Sequence, residues 1–265
     1  MIISFFEEFP TDENLEKLRL ITWPTKLHVA AKSPKEFEKI KKKVINDNRN
    51  DRNDKNKKND KNQIKELIYW PILERKEGYW ISPFSERKAL LRIFNELKNK
   101  KISIMLDLEL PTTKNSLLYI TQSLNFLRNK RLIKRFIKYY QGKIYLAEYW
   151  PLGKIKKRIL QLFGLHYNIK TRKINVIKML YHSMLPFSDN LFRRKLEEGK
   201  KEFGNNYLAG FGTIAKGIMG WEPILSPENL RNDLDIAKKA GVKEVVIFRL
   251  GGLNKEYVKS IKEVQ

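Results

Sequence analysis

Two carboxylates on one short apolar stretch are the first residues in this sequence that could do chemistry. Residues 102–110 read ISIMLDLEL: Ile102, Ile104, Leu106, Leu108 and Leu110 alternate with Ser103, Met105, Asp107 and Glu109. Side chains of a strand alternate between its faces with period two, so Asp107 and Glu109 share a face at the strand's end, just before Pro111. Two carboxylates in one pocket repel, and one of them should hold a proton near neutral pH. That is the state a general acid needs. Satisfied instead by Lys178, Arg249 or backbone, the same pair would be inert.

Other strand ends add candidates. Strand one ends Phe6-Glu7-Glu8-Phe9. Only one acid can point inward, and the set Ser4, Phe6, Glu8 favours Glu8. Strand five ends Glu148-Tyr149-Trp150-Pro151, with Glu148 and Trp150 on one face. An inward acid beside a tryptophan suits a sugar, whose apolar face stacks on aromatic rings; packing against the next helix is the plain alternative for Trp150. On strand six Lys178 and His182 share a face, with Tyr181 at the same end. His182 could be a base, a hydrogen-bond donor or a metal ligand. The chain has three histidines (His28, His166, His182) and only His182 is expected at a strand end, so a multi-histidine zinc site is not expected. A carboxylate-bound divalent ion stays open, but no metal or cofactor is assigned. Trp70, Trp80 and Trp221 fall at or beyond the ends of strands three and seven. They either pack the core or, beside acids, form a polar-ligand pocket. Arg249 on strand eight could pair with an acid or bind an anion.

These residues need a scaffold that gathers strand ends, and the chain supplies one. Strand then helix repeats eight times across 265 residues, about the size of one (β/α)8 TIM barrel, typically ~250 residues. The strands are expected at 2–9, 27–31, 66–70, 102–110, 143–149, 174–182, 207–213 and 244–250. Pro10, Pro71 and Pro111 stop three of them. Ser33-Pro34 with Glu36, and Ser226-Pro227, are helix starts. One long helix is expected from Asn115 to about Tyr140, and a basic amphipathic helix runs to about Phe163. Strands alternating with helices imply parallel βαβ units. An open doubly wound sheet lacks support, because no Gly-rich phosphate loop follows the first strand. We therefore expect a single barrel over 1–265, with the all-polar run at 46–62 as a disordered insertion.

Composition sets outer bounds. Cysteine is absent, which excludes disulfides, thiolate metal sites and a cysteine nucleophile. The N-terminal MIISFFEEFP has no basic region and reads as a strand rather than a signal peptide. No apolar run reaches the ~20 residues of a membrane span. A cytoplasmic location is expected on these grounds. The formal charge is +24, from 54 Lys+Arg against 30 Asp+Glu. Nucleic acid or a membrane surface could be the partner of such a charge, but solvated lysines suffice to explain it, and nucleic-acid binding is not favoured. The lysine-rich, cysteine-free composition would suit a thermophile.

The strand-four end Asp107-Leu108-Glu109 resembles the D-x-E end of the strand-four signature of chitinase-like glycoside hydrolases. Met179-Leu180-Tyr181-His182 resembles their strand-six end, and residues 245–253, VVIFRLGGL, resemble their closing strand. The resemblance implies a TIM barrel with Glu109 as general acid, Asp107 as its partner carboxylate and Tyr181 as a hydroxyl donor. It also implies that the substrate's own N-acetyl group is the nucleophile. Two earlier acids of the signature fall on Ile102 and Met105, its strand-six acid on His182, and its floor tryptophan on Phe248 or Arg249.

The first expectation is thus a carbohydrate-active barrel that hydrolyses glycosidic bonds. Glu109 would protonate the leaving oxygen and Asp107 would tune it. Glu8 or Glu148 would be nucleophile or base if the substrate is not. Carboxyl groups ~5–5.5 Å apart would mean retention of configuration, and ~6.5–9.5 Å inversion. A non-hydrolytic isomerase or aldolase would use Lys178 for a Schiff base or Arg249 as an anion clamp. A non-catalytic binder of polysaccharide or nucleic acid would need none of these acids.

Overall fold

The structure is a computed structural model that describes residues 1–50, 63–112, 117–150, 153–167, 173–185 and 188–265, with only the backbone for 46–50 and 154. Eight parallel strands follow one another in chain order, and the last pairs with the first, closing a (β/α)8 barrel. They are β1 (Ile2–Glu7), β2 (Thr25–Ala31), β3 (Ile64–Pro71), β4 (Ile104–Leu108), β5 (Ile144–Tyr149), β6 (Ile174–Met179), β7 (Tyr207–Gly212) and β8 (Glu244–Phe248). The helices are α1 (Asp12–Glu16), α2 (Pro34–Asn50), α3 (Arg87–Leu97), α4 (Leu117–Ser123), α5 (Phe126–Tyr139), α6 (Lys154–Leu162), α7 (Asp189–Phe203), α8 (Pro227–Lys239) and α9 (Lys255–Val264).

Local chemistry explains most of these boundaries. Thr11, Ser188, Ser226 and Asn254 each accept a backbone N–H of the first turn that follows, and Pro227 fills the first position of α8. In α3, Leu90, Ile93, Phe94 and Leu97 recur at helical spacing and are buried, worth about 1.5–3 kcal/mol each.

Three boundaries differ from expectation by more than two residues. The long helix is two, because the chain turns at Leu124-Asn125: the Asn125 N–H bonds Gln122 O at 3.0 Å, and the Ser123 hydroxyl bonds Ile120 O. Strand six ends at Met179, so His182 stands in a turn and not on the strand beside Lys178. Leu180 N–H still bonds Gly210 O at 2.8 Å, but the N–H groups of Met184 and Leu185 then fold back onto Tyr181 O. Of the polar run at 46–62, the first five residues continue α2, and 51–62 lie outside the described residues.

Contacts divide the chain into two compact units, one of residues 1–30, 35–68 and 180–265, the other of 31–34 and 69–179. In the first, Phe6 registers with His28 and Phe248, and the three rings cluster, at 5.3 Å for Phe6–His28 and 6.2 Å for Phe6–Phe248. The opposite face packs on helices: Phe211 lies 5.2 Å from Phe192 of α7. In the second, β4, β5 and β6 are in continuous register, Asp107 beside Ala147 and Leu108 beside Glu148.

Candidate active site

Register decides which acids stand together. Neighbours in register on parallel strands point the same way, so Met105 and Asp107 share a face with Tyr145 and Ala147. Continuing one pair beyond the strand places Glu109 with Tyr149. Contacts bear this out, since the Tyr149 hydroxyl donates to Glu109 Oε2 at 2.7 Å. Asp107 also hydrogen-bonds the Glu109 carboxyl. Opposite Asp107 stands Ala147, whose small side chain fills little of that layer. One layer below, Tyr69 pairs with Ile104, which turns Trp70 to the Met105 face. Trp70 is buried there, so it floors the layer and offers no open ring to a ligand.

Burial pushes the Glu109 carboxyl up to about 7, against the hydrogen bonds from Tyr149 and Asp107, which favour its charged form. Burial also raises Tyr149, and the Glu109 charge raises it further. The phenol therefore stays protonated and remains a donor. The loop after β3 is pinned to this strand end, because Ile81 N–H bonds Asp107 O at 3.0 Å and the Ser85 hydroxyl bonds Trp80 O at 2.7 Å. Trp80 is partly exposed on that loop, edge-on to Tyr79 at 5.7 Å. Trp150 is half-buried directly after Tyr149.

Glu148 does not join this group. Its register partner is Leu108, so it points to the face opposite Asp107. It is wholly buried against Lys178 Nζ at 2.5 Å and His166 Nδ1 at 2.7 Å, and it accepts Tyr167 N–H at 2.9 Å. Burial alone would raise its carboxyl, but Lys178 and the His166 hydrogen bond hold it below the ordinary range. The expectation that Glu148 serves as nucleophile or base is therefore corrected to that of a structural charge. Alternation gives only relative facing, and the sequence contains no marker of phase for β5. Lys178 is sealed in the same pair, which removes it as a Schiff-base lysine.

The other unit holds the remaining candidates. Glu8 shares the Phe6 face and accepts Ile218 N–H at 2.9 Å. Glu222, in the same loop, accepts Met219 N–H at 3.1 Å. Gly217 lies between them: a Cβ there would stand 2.8 Å from Glu8 Oε2, Glu222 Oε1 and Phe248 Cζ. Those two oxygens are thus no more than about 5.6 Å apart, twice that distance. Sequence reading missed Glu222 because the loop has no periodicity to place it. Gly217→Ala should destabilise the protein by about 1–3 kcal/mol, read as a lowered denaturation midpoint; an unchanged midpoint would show that the loop yields freely.

Phe248, not a tryptophan, closes this face, with Tyr181 6.0 Å from it, ring to ring. Arg249 is no free anion clamp: it pairs with Glu7 at 3.1 Å, donates to Lys216 O and lies over the Phe9 ring. Burial raises Glu7, and Arg249 opposes this. His182 Nδ1 meets Asp233 Oδ1 of α8 at 2.9 Å, and its ring stacks on Phe192. Burial pushes Asp233 up to about 6. Trp221 is 59% exposed and stands out in the open. Among the described residues no cluster of three or more His, Asp or Glu could hold a metal ion, and no helix is long and apolar enough to cross a membrane.

No protein-family profile matches the chain, and no curated protein matches it significantly. Solved structures do. The glycoside hydrolase domain of PgaB (BpsB) from Bordetella bronchiseptica superposes with TM-score 0.55 at 9% identity, covering 99% of this chain and 98% of that one. A class V chitinase from Pseudomonas fluorescens Pf-5 gives 0.55 at 9%, covering 99% of each chain. A GH18 chitinase from Pseudoalteromonas aurantia gives 0.52 at 11%, covering 100% and 99%. At these identities the likeness is one of fold: the chain has the barrel of chitinases and related glycoside hydrolases.

Proposed function

We propose that this chain is a carbohydrate-active hydrolase in which Glu109 is the general acid. One observation carries the reading: a carboxyl pushed up to about 7 by burial, 2.7 Å from the Tyr149 hydroxyl and hydrogen-bonded to Asp107 on the same face. Protonated Glu109 gives its proton to the glycosidic oxygen as the C–O bond breaks and is left as a carboxylate. Tyr149 O–H, already aimed at that carboxyl, stabilises the charge as it forms. The same carboxylate then takes a proton from the incoming water. The nucleophile is the substrate's own N-acetyl group, as the chitinase-like resemblance implies. Trp80 and Trp150 are the partly exposed rings available to stack on a sugar. The fold shared with chitinases supports the substrate class.

The test is a pH–rate profile on a panel of chito- and cello-oligosaccharides. A general acid must enter protonated, so kcat should fall as pH rises through about 7. The Tyr149 hydrogen bond lowers the Glu109 pKa. Tyr149→Phe should therefore move that limb to higher pH and lower the maximal rate about tenfold or more. No hydrolysis across the panel, or a rate flat through pH 7, would reject the assignment.

A further inference from the structure

The second unit carries a face that the proposed hydrolysis does not use. From residue 110 to 188 there are 16 Lys+Arg and one acid, Glu148, which is already sealed against Lys178. Within this stretch α4, α5 and α6 turn apolar residues outward. Leu117, Ile120 and Leu124 recur at helical spacing along α4 and its end, and all three are exposed. Ile155, Ile159 and Leu162 do the same along α6, with Ile155 at 76% exposure. An amphipathic helix ordinarily buries such a stripe, but here it faces solvent.

The two stripes belong to one surface. Phe84 gathers the three helices, with Tyr119 of α4 at 5.5 Å, Phe126 of α5 at 5.0 Å and Phe163 at the end of α6 at 6.0 Å. Lys130 of α5 donates to Leu162 O at 2.9 Å. Exposed cations of α5 and α6 flank the stripes: Arg128, Arg131, Lys134, Lys156 and Arg158. The same surface reaches the candidate site, since the Tyr119 hydroxyl bonds Pro111 O at 2.8 Å, two residues beyond Glu109.

We propose that the α4–α5–α6 face docks onto an anionic lipid membrane surface, its aliphatic stripes entering the headgroup boundary and its lysines and arginines meeting lipid phosphates. Aliphatic side chains flanked by cations, on three helices that themselves carry no acid, fit that boundary. A nucleic acid would engage the cations and the exposed Tyr139 and Phe163 rings but leave the aliphatic stripe of Ile155, Ile159 and Leu162 in water. Docking is peripheral, as no described helix is able to span a bilayer.

Vesicle co-sedimentation with the full chain tests this. Vesicles with about one-third phosphatidylglycerol should bind at least about tenfold more protein than pure phosphatidylcholine, and 0.5 M salt should release most of it. The triple variant Ile155→Ser, Ile159→Ser, Leu162→Ser should lose about tenfold or more of that binding. Arg131→Gln and Lys134→Gln should each lose about fivefold. The triple variant should keep the parent circular dichroism, as its sites are exposed. Three outcomes overturn the proposal: no vesicle preference; duplex-DNA binding with an unchanged affinity in the triple variant; or a wild-type dimer that the triple variant makes monomeric. Vesicle binding requires no turnover and should persist in Glu109→Gln, so it fails or stands apart from the hydrolase reading.

Discussion

Glu109→Gln should retain no more than about one-hundredth of the wild-type kcat, the lower bound for losing a positioned general acid. The amide keeps the shape and can still hydrogen-bond Tyr149, but it has no proton to give. The variant should also be more stable than the parent, by a margin that opens above the ordinary carboxylate pKa and is complete above about pH 7. Folding takes the Glu109 pKa from an ordinary carboxylate value to about 7. Between those values the folded chain holds a proton that the unfolded chain releases, so stability falls as pH rises. Below the unfolded value there is no penalty, and above about 7 it is complete, on the order of 1–3 kcal/mol. Glutamine cannot ionise and escapes it. Urea midpoints at about pH 4 and pH 8 should therefore nearly agree at the first and favour the variant at the second. Retained hydrolysis would discard Glu109 as the acid. Equal midpoints at pH 8 would mean that its carboxyl is not desolvated, removing the basis for the assignment.

How much of this was written in the sequence differs from residue to residue. The eight strand–helix repeats were legible because apolar runs, Pro10, Pro71 and Pro111, and the caps at Thr11, Ser226 and Asn254 are local signals that tertiary packing leaves in place. The pairing of Asp107 with Glu109 was legible for the same reason, because alternation along one strand needs no partner. Tyr149 was not. Its meeting with Glu109 follows from the β4–β5 register, which depends on how two distant segments align. Glu148 was misplaced through the same gap: counting by two fixes relative facing within β5 but not which face is which. Glu222 and Asp233 were out of reach, one in a loop ordered by carboxylate-to-backbone bonds and one buried on α8 by a histidine in a turn. The exposed stripes of α4 and α6 look in sequence like ordinary core-facing stripes, and only the packed neighbours reveal that nothing in the described chain buries them.

Lys178→Met should be the most damaging single substitution outside the candidate site, destabilising the protein by about 3–5 kcal/mol. Lys178 and Glu148 sit side by side in β6 and β5 register, both sealed from water, with Nζ 2.5 Å from the carboxylate. Removing the ammonium leaves a carboxylate in a site that burial alone would make hostile to charge, with His166 and Tyr167 N–H its remaining hydrogen-bond partners among the described residues. The double variant Glu148→Gln, Lys178→Met removes both charges and should recover most of the loss, since a neutral pair of similar volume avoids the desolvation that the ion pair must offset. A double-mutant cycle from urea denaturation measures this coupling. Acid should imitate the single variant. The folded pKa of Glu148 lies below its unfolded value, so its contribution is present above the ordinary carboxylate range and fades as pH drops through the folded value. A Lys178→Met midpoint within about 1 kcal/mol of the parent would show that water or a shifted His166 already carries the Glu148 charge.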